Sequence, residues 1–274
     1  MVKDVSGGGL QPITAPSAWR CIDFISDLHL HADQPATFVA WQHYMAHTAA
    51  QAVFILGDLF EAWVGDDAIG AIASESSVID SFEDRCAQVL KRSAAQRDVF
   101  FMCGNRDFLV GEKFTRACAV QWLPDPTTLA FAGQRWLLSH GDALCLSDTD
   151  YLQFRALVRS APWQRDFLAQ PLEQRKALAR SLRARSEAHK RSHPVLADVD
   201  TDAAVSWLTT AACTTLIHGH THRPADHDLG HNLQRIVLSD WDLETQPPRA
   251  QVLRISLPVH PAPARVERLA LDAA

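Results

Sequence analysis

The sequence predicts a layered α/β fold interrupted by a helical insertion. Six short runs of β-branched and aromatic residues, bounded by turn formers, read as strands at 21–26 (CIDFIS), 52–57 (AVFILG), 98–104 (DVFFMCG), 135–141 (RWLLSHG), 214–219 (TTLIHG) and 234–239 (QRIVLS). Segments with helical periodicity at 36–50 and 78–97 separate the early runs and give a β, α, β alternation. Between residues 149 and 197 the chain reads as helical and breaks the strand series.

In chain order, residues 1–19 are rich in Gly, Pro and Ser and predict a mobile tail. Asp27 and His29 follow the first strand, Asp58 the second, and Asn105 and Arg106 the third; His140 ends the fourth, and His218 and His220 follow the fifth. Ligands of open α/β sheets collect at the carboxyl ends of strands, so separate segments offer polar groups to one place. Gly57, Gly104 and Gly219 are expected to permit the tight turns that aim those neighbours. The core is expected over 20–148 and 198–256, the insertion over 149–197, and a C-terminal extension over 257–274, where LPVHPAPAR also predicts mobility.

The 274 residues suffice for one large domain with an insertion, and a net charge of −6 with a pI near 6.1 excludes a protein whose main partner is nucleic acid. Residues 151–193 are the exception, with ten Arg or Lys against three Asp or Glu. The six cysteines form no C-x-x-C pair and read as reduced, mostly buried thiols of a cytoplasmic protein. No run has the length of a membrane span, and the first 20 residues lack the apolar core of a signal peptide.

Histidine, carboxylate and amide donors together suit Mn²⁺, Fe²⁺ or Zn²⁺. In LIHGHTHRP, residues 216–224, His218, His220 and His222 alternate. In an extended segment, i and i+2 side chains stand about 6 to 7 Å apart, which suits adjacent ions of a two-metal centre roughly 3.5 to 4 Å apart. The outer two, roughly 13 Å apart, cannot share one ion, so the third histidine needs another role.

The series DLH, GD, GNRD, H and HGHTH, spread over about residues 21–240, resembles the calcineurin-like metallophosphoesterase superfamily. The resemblance implies a four-layer αββα sandwich with two central mixed sheets, and two divalent metal ions. It implies Asp27, His29, Asp58 and His220 on one ion, and Asp58, Asn105, His140 and His218 on the other, with His222 at the rim supporting a ligand by hydrogen bonding. Asp58 would bridge, where its negative charge offsets the repulsion between cations. Many members carry His after the Asn; this sequence has Arg106. Arginine stays charged and is a poor general acid, but its planar fork binds phosphate oxygens. That points to a leaving group needing no proton, such as a nucleoside phosphate.

Longer stretches, ILGDLFEAWVGDD (55–67), GNRDFLVGEKF (104–114) and HGDALCLSDTDYLQFR (140–155), are similar to the UDP-2,3-diacylglucosamine diphosphatases of lipid A synthesis. This narrower resemblance implies hydrolysis of a pyrophosphate by water attack on the α-phosphorus, with Mn²⁺ as the usual ion. Asp58, Asn105, Arg106 and His218 would be catalytic, and Asn105, Arg106, Asp148, Ser186, Lys190, His193 and His218 would contact substrate. The insertion, with apolar positions such as Phe154, Leu157 and Leu168 among its arginines, would shelter acyl chains and lean on the cytoplasmic face of the inner membrane, with no protein partner required. Trp63, Asp66 and Asp67 read as a buried tryptophan with capping aspartates. A phosphoesterase for cyclic nucleotides, phosphoproteins or nucleic acid ends would share the metal ligands with less reason for Arg106 and the insertion. A non-catalytic membrane scaffold would have no need of the intact ligand set.

Overall fold

The computed structural model describes residues 12–70, 81–192, 198–258 and 263–271, with backbone alone within 184–192. In chain order it begins with β1 (Ile13–Thr14), β2 (Cys21–Ile25), α1 (Pro35–His47), β3 (Ala52–Leu56), α2 (Phe82–Ala94) and β4 (Asp98–Met102). α3 (Glu112–Cys118), β5 (Gln121–Leu123), β6 (Thr127–Phe131) and β7 (Gln134–Ser139) follow. Three consecutive helices, α4 (Thr149–Val158), α5 (Ala161–Leu168) and α6 (Leu172–Ser192), then form the insertion. The chain continues through α7 (Thr201–Ala211), β8 (Thr215–His218), β9 (Ala225–Gly230), β10 (Leu233–Val237), β11 (Gln251–Ser256) and β12 (Arg265–Ala270).

The strands form two mixed six-stranded sheets, ordered β1-β6-β7-β8-β10-β9 and β12-β11-β2-β3-β4-β5. Alternation along each strand builds the layers. In β3, Ala52, Phe54 and Leu56 face the other sheet, while Val53 and Ile55 face the helices. β2, β3 and β4 are parallel and buried on both faces, which explains their near-continuous apolar sequences. Phe24, Phe54 and Phe100 stack across the three strands, with ring centroids 5.1 and 4.6 Å apart, in the middle of the inter-sheet core. α1, α2 and α3 cover the outer face of one sheet and α7 that of the other, giving the four layers α, β, β, α.

The described parts of both regions read as mobile pair with the sheets; residues 1–11 and 259–262 of those regions lie outside the described residues. Ile13 and Thr14 pair with Leu129 and Ala130, and Trp19, 5 % exposed, sets its edge against Phe54 and Phe100. β12 pairs along its whole length with β11. β1 is two residues long and both edge strands follow proline-containing segments, so tertiary pairing reveals them where composition does not.

Asp23 is the one charged residue of β2 and is fully buried. Its carboxylate accepts from Tyr44 Oη (2.9 Å), Thr48 Oγ1 (2.7 Å) and both Nε (2.7 Å) and Nη2 (2.8 Å) of Arg254. Removing it takes the acceptor from two hydroxyls and leaves the Arg254 guanidinium only its 3.0 Å bond to Thr48 Oγ1. Asp23→Ala is expected to cost about 3 kcal/mol and to lower the thermal midpoint by about 10 °C, readable by scanning fluorimetry.

Candidate metal centre

The turns beyond β2, β3, β4, β7 and β8 meet at one end of the sandwich and are tied to one another by hydrogen bonds. Asp27 and His29 donate their backbone N–H groups to the carbonyls of Gly57 (3.1 Å) and Asp58 (3.0 Å), joining the first two turns. Asp107, fully buried, accepts from Leu59 N (2.8 Å) and Gly104 N (2.7 Å), joining the second turn to the third. Burial and the neighbouring Asp58 push the Asp107 carboxyl up to about 7. Asp27 Oδ2 accepts from His220 N at 2.9 Å, which brings in the last turn.

These turns hold unusual backbone conformations. Asp27, His29, Asp58, His220 and His222 all have positive φ, between 47° and 67°. Non-glycine residues adopt this region sparingly, and its concentration here means that the surrounding bonds impose the conformation. The glycines act chiefly by making room. A Cβ on Gly104 would strike the Asp58 carboxylate, and one on Gly219 would strike Asp27 and Ser26, although neither glycine has positive φ. Of the three glycines singled out in the sequence, only Gly57, at φ 91°, combines positive φ with a close approach, here to the His140 ring.

The side chains form two donor groups. Ligand atoms of Asp27, His29 and His222 lie within 4.8 Å of one another, as do those of Asp27, Asp58 and His140. In the first group Nε2 of His29 and Nε2 of His222 are 3.2 Å apart, and Asp27 Oδ1 is 3.3 Å from the latter. That oxygen is buried without a hydrogen-bond partner. In the second, His140 Nε2 and His220 Nδ1 each lie 2.9 Å from Asn105 Oδ1. Asp58 faces both, with Oδ1 3.7 Å from His140 and Oδ2 4.0 Å from His29.

Electrostatics fit a cation site. His140 is pushed up to about 9: burial opposes its charge, but Asp58, Asp27 and Asp142 outweigh it. For Asp27, burial works against ionisation, yet the histidines around it, His222 first, hold its carboxyl well below the usual range. Burial, with His140 nearby, lowers His220 to about 3, leaving a neutral imidazole suited to ligation. Convergent imidazoles, carboxylates and one amide oxygen around an unpartnered buried carboxylate oxygen match the donor set of two divalent ions.

The three alternating histidines divide differently from expectation. β8 ends at His218, so alternation carries only that residue, and it shares a face with Leu216 towards α7. His218 Nδ1 lies 2.7 Å from the Gly219 carbonyl, and Arg235 Nη1 stands 3.4 Å from Nε2. Burial lowers its pKa to about 4. It joins neither donor group, which removes the geometric basis for the ligand, catalytic and substrate-contact roles expected of it. Beyond the strand the chain turns at positive φ, and His220 moves to the Asn105 group while His222 takes the place beside Asp27 and His29.

Arg106 meets two acids of the turn after β3. Its backbone N–H donates to Asp58 Oδ1 at 2.8 Å, and its Nη1 lies 3.5 Å from Glu61 Oε1. Asp148 is exposed and caps α4, accepting from Tyr151 N at 3.0 Å. Ser186 and Lys190 lie on α6 with side chains outside the described set, and His193 lies outside the described residues. Trp63 is buried and donates Nε1 to Asp66, which caps α3 by accepting from Gly111 N (2.9 Å) and Phe114 N (3.0 Å). Asp67 does not cap a helix from its side chain; it holds the buried Arg175 of α6.

A family model for calcineurin-like phosphoesterases matches residues 22–224, the span that carries all of these turns. The chain belongs to that family. Among relatives of this phosphoesterase, a UDP-2,3-diacylglucosamine hydrolase of Chromohalobacter salexigens is 40 % identical over 255 residues, covering 91 % of this chain and 97 % of its own. Proteins of the same name from Chromobacterium violaceum and Escherichia coli are 44 % and 41 % identical, covering 80 % and 81 % of this chain and 90 % and 91 % of theirs.

Two further groups of this phosphoesterase escaped sequence reasoning. Glu61 places Oε2 3.2 Å from His29 Nδ1. Asp142, fully buried, binds Tyr151 Oη (2.5 Å) and Arg155 Nε (2.7 Å), and the Tyr151 ring stacks 6.0 Å from that of His220. A lone acid in an apolar run, at Asp58 plus three, was the only available signal for Glu61.

Proposed function

We propose that this protein hydrolyses the pyrophosphate bond of UDP-2,3-diacylglucosamine, water attacking the α-phosphorus to release UMP and 2,3-diacylglucosamine 1-phosphate in lipid A synthesis. The observation that carries this reading is that a relative of that name aligns over 91 % of this chain and 97 % of its own, insertion included. The donor groups support it. Asp27, His29, Asp58 and His222 would hold one ion, and Asp58, Asn105, His140 and His220 the other, with Mn²⁺ as the ion proposed. Two such ions supply positive charge to phosphoryl oxygens and make water a nucleophile near neutral pH. Asp58 turns one oxygen towards each donor group and would be shared between them. Arg106 binds the phosphates and stabilises charge on the departing UMP, which needs no proton.

The insertion is the proposed substrate and membrane element, with Asp148, Ser186, Lys190 and His193 as the proposed contacts to the glucosamine phosphate. Its apolar Phe154, Leu157, Leu168 and Leu178 are 39 to 56 % exposed, a composition suited to acyl chains and to the cytoplasmic face of the inner membrane. No helix among the described residues is long and apolar enough to cross a membrane. Not all of the insertion's positive charge is offered to a bilayer, because Arg155 pairs with Asp142 and Arg175 with Asp67. With Mn²⁺ supplied, the purified protein is expected to release UMP from UDP-2,3-diacylglucosamine at least about 10²-fold faster than it cleaves UDP-GlcNAc or cyclic AMP, since both acyl chains and the nucleotide contribute binding. Equal rates on all three would reject the lipid assignment.

A further inference from the structure

Glu61 lies three residues beyond Asp58, on the turn after β3, and is only 7 % exposed. Three basic side chains from three parts of the chain converge on its two oxygens. His29 Nδ1 is 3.2 Å from Oε2, Arg106 Nη1 is 3.5 Å from Oε1, and Arg183 Nε of α6 is 3.0 Å from the same Oε1. We propose that Glu61 is a positioning residue that couples the docking of insertion helix α6 to the orientation of Arg106 and His29. The inference rests on the two-ion phosphoesterase reading given above.

A carboxylate has lone pairs enough to accept from all three groups, and an amide does not. Oε2 stands 3.2 Å from His29 Nδ1, where a proton carried on Nδ1 would leave Nε2 free to face Asp27 and His222. On Oε1, two like-charged guanidiniums compete for one oxygen, and the insertion's arginine holds the shorter contact. While α6 is docked, Arg183 takes most of that charge, and Arg106 stays loosely held and available to a phosphate. Should α6 lift, Oε1 is freed to draw in Arg106, which then turns from the reaction. Substrate that keeps α6 docked therefore prepares its own phosphate contact. This makes Arg183 a determinant of turnover that acts through Glu61.

The test combines Mn²⁺ titration, followed by electron paramagnetic resonance of free Mn²⁺, with kcat/KM on UDP-2,3-diacylglucosamine for wild type, Glu61→Gln, Arg183→Ala and the double variant. Glu61→Gln is isosteric and is expected to weaken Mn²⁺ binding by about 10- to 100-fold, because the amide cannot serve His29 and both arginines. Arg183→Ala is expected to keep wild-type Mn²⁺ affinity and to lower kcat/KM by about five-fold or more. In the Glu61→Gln background the Arg183 substitution is expected to cost almost nothing, since its route to Arg106 is gone. A purely structural role would lower the melting point without moving the Mn²⁺ affinity of the folded protein. Wild-type Mn²⁺ affinity in Glu61→Gln, or the same Arg183 cost in both backgrounds, would overturn the coupling. Failure of the wild type to bind two Mn²⁺ would overturn the two-ion reading itself and this inference with it.

Discussion

His222→Ala is expected to leave the protein with one tightly bound Mn²⁺ in place of two and to lower turnover at least about 10²-fold, since each ion's charge is worth several kcal/mol in the transition state. His222 supplies the nitrogen that completes the group with Asp27 and His29, and its Nε2 lies 3.2 Å from that of His29 and 3.3 Å from Asp27 Oδ1. His218→Asn is the matched control within the same motif. It removes a buried imidazole that Arg235 contacts, so it is expected to cost about 1 to 3 kcal/mol of stability and to retain both ions. Metal analysis after gel filtration separates the two outcomes. An alternating extended segment predicts the reverse, with His218→Asn losing an ion and His222→Ala keeping both.

That reversal shows where sequence reasoning about this centre stops. Reading apolar runs bounded by turn formers as strands located β2, β3, β4, β7, β8 and β10 to within about two residues, because buried strands and the turns between them differ in composition. It also put the functional groups at the right strand ends, since Asp27, Asp58, Asn105 and His140 all fall within three residues of one. Alternation fails beyond His218, where the ladder ends and the chain turns at φ 67° and 54° through His220 and His222. Which way a side chain points there is decided by bonds such as His220 N to Asp27 Oδ2, between residues 193 apart in sequence.

Burial of charge was equally hidden. The arginines of the insertion form a run of like charge in the sequence, yet in the fold Arg155 and Arg159 reach the buried Asp142, and Arg175 is 2 % exposed. Their partners sit elsewhere in the chain and carry no local sign of the pairing. β1 and β12 illustrate the same limit on the backbone side. Each is an edge strand whose partner, β6 or β11, lies in a different region or across a proline-rich connection, so neither shows the two-sided apolar pattern of β3.

Arg106→Ala is expected to lower kcat for UDP-2,3-diacylglucosamine by about 10²- to 10³-fold while leaving both Mn²⁺ ions bound. The separation follows from geometry. The backbone N–H of Arg106, which every substitution short of proline retains, donates to Asp58 Oδ1 at 2.8 Å, whereas the guanidinium lies 3.5 Å from Glu61. Truncation therefore spares the support of Asp58 and removes the guanidinium proposed to bind phosphate oxygens. Arg106→Lys keeps the charge but not the planar fork, so it is expected to recover only part of the loss. Were Arg106 the general acid that a histidine provides elsewhere in the superfamily, a substrate with an alkoxide leaving group would suffer most from its removal. A phosphate-binding arginine predicts the opposite, because UMP departs with charge already spread over an acidic phosphate. A kcat for Arg106→Ala within a few-fold of wild type, at full Mn²⁺ occupancy, would take this residue out of the transition state.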